Sequence, residues 1–63
     1  MSNAAREFFV QVDGEQIQAW VAQERRMYRA WGTYRGRHIV SKERSEEGAK
    51  SAWRAAAEYA ANE

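Results

Sequence analysis

Asp13-Gly14 sits between two runs of alternating apolar residues, EFFVQV before it and EQIQAWV after it. An Asp-Gly pair takes the positive φ angles of a tight two-residue turn at little cost, so the segment is predicted to be a β-hairpin. Setting Val12 opposite Glu15 fixes the register, with Val10 facing Ile17 and Phe8 facing Ala19. Side chains alternate along a strand, so Phe8, Val10, Val12, Ile17, Ala19 and Val21 share one face, and Phe9 and Trp20 fall on the other.

A helix competes for the second half of this segment. Asp13 would cap it with Gln16 at the third position, and Ile17, Trp20, Val21, Glu24, Tyr28 and Trp31 would form a stripe ending at Gly32. The propensity of AQERRM favours that helix. Glu24 interrupts the stripe, however, and the stripe begins directly after a strong turn signal, so strands are preferred.

Gly36 marks a second turn, YRGR, between MYRAWGT and RHIVSKE. With Arg35-Gly36 as its loop, Tyr34 pairs with Arg37, Thr33 with His38 and Trp31 with Val40, and Ile39 shares a face with Ala30 and Gly32. From Ser45 the pattern becomes helical, over about 45–61. Ser45 suits the N-cap, and Glu46 and Glu47 place negative charge where the first-turn N–H groups favour it. Ala49, Ala52, Trp53, Ala56 and Ala60 recur at helical spacing with Tyr59 beside them, while Lys50, Ser51, Arg54 and Glu58 line the other side. An alanine face lets the helix approach a sheet closely, with Trp53 as its one large knob. The expected fold is α+β: an antiparallel meander of three or four strands with one C-terminal helix packed on one face, Tyr28, Ala30, Gly32 and Ile39 toward the helix and Arg29, Trp31, His38 and Val40 outward.

Sixty-three residues make one small domain, 1–63, which buries only about 60% of the surface of its unfolded chain. No cysteine is present and there is a single histidine, so neither disulfides nor a zinc-type ligand set can reinforce it; packing must, helped by a partner subunit if there is one. Residues 1–5 and 62–63 are expected to be frayed. No run reaches the length of a membrane span and MSNAAREFFV lacks the form of a signal peptide, which leads to an expectation of a soluble, cytoplasmic protein.

Charge is segregated along the chain: −2 over residues 1–20, +5 over 21–44 and −2 over 45–63, for a total of +1. The stretch RRMYRAWGTYRGRHIV holds five arginines and three aromatics without one acid. Catalysis is not expected. His38 is the only imidazole and has no identifiable carboxylate partner, Glu46-Glu47 is accounted for as helix-capping charge, and YRGR begins no phosphate-binding helix. No catalytic residue, metal ligand or small-molecule cofactor is assigned.

Two features can carry binding. One is the basic set Arg25, Arg26, Arg29, Arg35, Arg37, Lys42 and Arg44, whose guanidinium forks suit phosphate and also stack on bases. The other is the outer sheet face, with Phe9, Trp20 and Trp31. Such a face either meets nucleic acid, with Arg26, Arg29, Trp31, Arg35, Arg37 and Lys42 as the contacts, or forms a homodimer or protein interface through Phe9, Trp20 and Trp31.

Resemblance favours DNA between these. Ser45, Ala49, Ala52, Trp53, Ala56 and Ala57 resemble the T-x-x-x-A-x-x-A-aromatic-x-x-A-A spacing of the plant ethylene-response type of DNA-binding domain. YRAWGTYRGRHIV is similar to the W-x-A-x-x-x-Y-x-G-K/R strands of phage-integrase arm-binding domains. Both families place a three-stranded sheet against a helix and read DNA with the sheet. The resemblance spans about residues 28–59 and implies Arg29, Trp31 and Arg37 as groove-facing side chains of a module of the kind phages and bacterial regulators use. A similar junction occurs in double-stranded-RNA-binding domains and HicB-type antitoxins. Glu43 stands where integrase-type domains carry an aromatic, and Glu46-Glu47 replaces the phosphate-gripping lysines of the RNA-binding domains.

Overall fold

The computed structural model describes residues 4–61; the expectation for residues 1–3 and 62–63 lies outside them. Strands β1 (Arg6–Val12) and β2 (Glu15–Glu24) form a hairpin about Asp13 (φ 53°) and Gly14 (φ 81°). Positive φ at both central residues gives the type I′ twist that matches the twist of the strands. The register is Val12↔Glu15, Val10↔Ile17 and Phe8↔Ala19, as alternation requires. Strands β3 (Met27–Tyr34) and β4 (Arg37–Glu43) repeat the device at Arg35 (φ 52°) and Gly36 (φ 81°), with Tyr34↔Arg37, Thr33↔His38 and Trp31↔Val40.

The competing helix is therefore absent and its stretch is β2 and β3. They are joined by Arg25-Arg26, of which only Arg25 has positive φ (60°). An arginine there carries strain on the order of 1 kcal/mol. The Gln23 side-chain amide donates to the Arg25 carbonyl at 3.2 Å and steadies the turn.

All four strands lie in one antiparallel sheet in chain order, β1-β2-β3-β4. The β2–β3 ladder is shorter than its neighbours, pairing Trp20–Glu24 with Met27–Trp31. Helix α1 (Glu46–Ala61) covers one face. Ser45 caps it, its Oγ accepting from the Gly48 N–H at 3.0 Å. Ser41 fastens the first turns to β4 by donating from Oγ to the Ala49 carbonyl at 2.8 Å. Further along, Arg54 Nε donates to the Gln11 carbonyl at 3.0 Å, covering part of the β1 edge.

The core is Phe8, Val12, Ala19, Val21, Ala30 and Tyr34 from the sheet and Ala49, Trp53 and Ala57 from the helix. Trp53 is fully buried, packs edge-on against Phe8, and donates its indole N–H to the Ile39 carbonyl at 2.9 Å. Two expectations about the core need correction. Tyr59 does not accompany the alanine face but is 72% exposed, because it lies two residues, about 200°, from buried Ala57. The face itself follows Ala49, Trp53 and Ala57, while Ala52, Ala56 and Ala60 flank it half-buried.

Candidate functional site

The register leaves one sheet face without a covering layer. On it, Trp20 and Trp31 are direct cross-strand partners, with Glu7 beyond Trp20 on β1 and Val40 beyond Trp31 on β4. Phe9 lies diagonally beside Trp20 and is 52% exposed, and Val40 is 43% exposed. The two tryptophans are half-buried. Together these four side chains form an apolar band running across all four strands.

Charge frames the band toward the end bearing the Arg25-Arg26 turn. The Arg29 guanidinium lies 5.6 Å from the Trp31 ring centroid, a cation–π arrangement. Its Nη1 is 3.8 Å from Glu24, and Lys42 Nζ is 3.5 Å from the same carboxylate. The face thus carries Arg29 and Lys42 against Glu24 and Glu7, and Glu7 accepts a hydrogen bond from the Gln18 amide. Although the segment is strongly basic in sequence, the strand side chains of this face carry as many carboxylates as cations, the excess arginines Arg25, Arg26 and Arg44 lying at its end. Ala22 floors an open hollow of about 370 Å³ walled by Trp31, Arg29, Arg25 and Glu24.

The six basic and aromatic residues expected to bind together do not form one patch. Arg26, Arg29, Trp31 and Lys42 gather at the end bearing the Arg25-Arg26 turn, where Arg44 also lies because Glu43 pairs with Tyr28. Arg35 is at the opposite end, nine residues and about 30 Å of strand away. There it is paired with Asp13 (3.4 Å) and Glu15 (3.8 Å) and stacked over Tyr34 at 5.1 Å. Arg37 is the partner of buried Tyr34, which puts it on the helix side of the sheet and not beside Arg29 and Trp31. The expectation that Arg37 faces a groove with them is corrected by that parity.

Phe9, Trp20 and Trp31 do share the outer face, and Val40 belongs with them. His38 is on the same face, opposite Thr33. Among the described residues no three of His, Cys, Asp and Glu cluster as a metal site, and no helix is long and apolar enough to cross a membrane. Compared with protein-family models, curated proteins and solved structures, the chain matches none.

Proposed function

We propose that the chain is a non-enzymatic binding module that engages a protein partner through its uncovered sheet face. The observation carrying this reading is the cross-strand Trp20–Trp31 pair, continued by Phe9 and Val40, on a face whose strand cations Arg29 and Lys42 are both engaged by Glu24. An apolar band rimmed by balanced charge suits a protein surface, where aromatic side chains supply most of the binding energy and the rim excludes water. Panning a random peptide library on the immobilised domain tests it. Binders that are lost with Trp31→Glu support the reading, and no enrichment above background on a chain shown to be monomeric would sink it.

DNA is the second reading, favoured by one specific arrangement. The Trp31–Arg29 stack stands beside Arg25, Arg26 and Arg44, which make no ion pair with a described residue. Unpaired bases stack on such a platform while arginines track the backbone. Titration with single-stranded and duplex oligonucleotides at about 50 mM and 200 mM salt separates the readings, because phosphate contacts make affinity fall steeply with salt. The protein-partner reading expects no binding at either salt.

A further inference from the structure

We propose that the partner seated on this face is a second copy of the same chain, packed sheet to sheet about a two-fold axis that runs parallel to the strands between β2 and β3. The proposal rests on the protein-partner reading and names its occupant.

Charge chooses the axis. Aligned face-to-face packing of two copies allows a two-fold axis either along the strands or across them. An axis across the strands, through the row Glu7, Trp20, Trp31 and Val40, lays β1 on the partner's β1 and sets Glu7 against its own copy. An axis along the strands lays β1 over the partner's β4 instead. Glu7 then lies over Val40 with Lys42 two residues further along that strand, which brings acid within diagonal reach of base on both edges of the dimer.

Shape agrees with that choice. The same axis lays β2 over the partner's β3, so each Trp20 lies over a Trp31 and the small Ala22 lies opposite the large Arg29. The hollow floored by Ala22 thereby receives the second copy's Arg29 beside the Glu24 carboxylate, with the receiving chain's Arg25 and Arg29 as its other charged walls. Arg29 Nε is buried without a hydrogen-bond partner among the described residues, and this contact would bring it new acceptors.

Area is sufficient. Four strands spaced about 4.8 Å apart present on the order of 600 Å² per face, so the pair buries roughly 1,200 Å², the lower bound for a specific interface. The arrangement also gives a domain with a mostly alanine helix face a second apolar layer, of the kind small chains need.

Sedimentation of the purified chain from about 10 μM to 1 mM tests the proposal. The expected result is a reversible shift from 7.3 kDa to twice that mass, abolished by Trp31→Glu in a variant that keeps its far-ultraviolet circular dichroism. Glu7→Lys is expected to weaken association about tenfold, and adding Lys42→Glu to restore it to within about twofold. These exposed-edge substitutions keep the test open should Trp31→Glu fail to fold. A strict monomer at about 1 mM overturns the proposal, as does a dimer indifferent to both the Trp31 and Glu7 changes, which would be joined by strand edges. So does failure of the second charge reversal to restore what the first removes. A monomer that still yields Trp31-dependent peptide binders would end the second-copy proposal and leave the protein-partner reading standing.

Discussion

Gly32 lies directly under the indole of Trp53: a Cβ built on the glycine would stand 3.0 Å from Trp53 Cζ2. It would also meet Ala19 Cβ at 3.1 Å and the Gln18 carbonyl oxygen at 3.2 Å. The ring is fully buried and held by its hydrogen bond to Ile39, and the carbonyl is main chain, so neither yields cheaply. Gly32→Ala is expected to destabilise the domain by roughly 1–3 kcal/mol despite alanine's better strand propensity, lowering Tm by at least about 4 °C. A melt unchanged from wild type would contradict this.

Trp53→Ala removes the largest core side chain and the hydrogen bond that its indole gives the Ile39 carbonyl. The expected loss is about 3–5 kcal/mol, most of what a chain of this size has. Urea denaturation followed by circular dichroism checks it, and a variant melting within a few degrees of wild type would show that the core does not depend on the indole.

Tyr34 presents the opposite case. Its ring is buried, yet its hydroxyl has no hydrogen-bond partner among the described residues. A buried donor without a partner is unfavourable by about 1–3 kcal/mol, so Tyr34→Phe is expected to leave stability unchanged or raise it by about 1 kcal/mol. A lower denaturation midpoint would reveal a bond made by that hydroxyl.

Ser45→Ala deletes the 3.0 Å cap on the Gly48 N–H. The expected cost is about 1 kcal/mol. Amide exchange should report it first in the opening turn of α1, with Gly48 and Ala49 losing protection before Ala57 does.

Glu24 holds both Arg29 and Lys42. Under the DNA reading, Glu24→Gln frees two cations beside Trp31 and is expected to strengthen oligonucleotide binding at low salt, steepening the salt slope by about one phosphate contact or more. Under the protein-partner reading no oligonucleotide affinity appears in either form. Fluorescence anisotropy across a salt series distinguishes them.

Much of this fold is legible because two of its turns announce themselves. Asp13-Gly14 and Arg35-Gly36 fix two registers, and Ser45 with the alanine spacing gives the helix within a residue of its observed Glu46 start. The third turn carries no glycine or proline, and Arg25 bears its positive φ under strain, so nothing in ERRM separates a turn from a helix by local preference. The faces of Tyr34 and Arg37 were available from alternation. Pairing Tyr34 with Arg37 and setting Ile39 toward the helix already puts both on the inner side, while counting arginines by sequence neighbourhood hides it. Charge neutralisation was not available. That Arg35 meets Asp13 and Glu15 depends on which turns share an end of the sheet, a property of the assembled meander.

The short ladder between β2 and β3 has a mechanical consequence. Each hairpin is hydrogen-bonded along its whole length, but the two are joined only from Trp20–Trp31 to Glu24–Met27. The sheet is therefore built as two fully laddered paddles joined over part of a shared edge, with the Trp53 indole lying over the far end of the seam at Ala19 and Gly32. Twisting one paddle against the other changes the curvature of the aromatic band. The residue such a twist would have to displace, Trp53, is thus on the side of the sheet away from anything the band would hold.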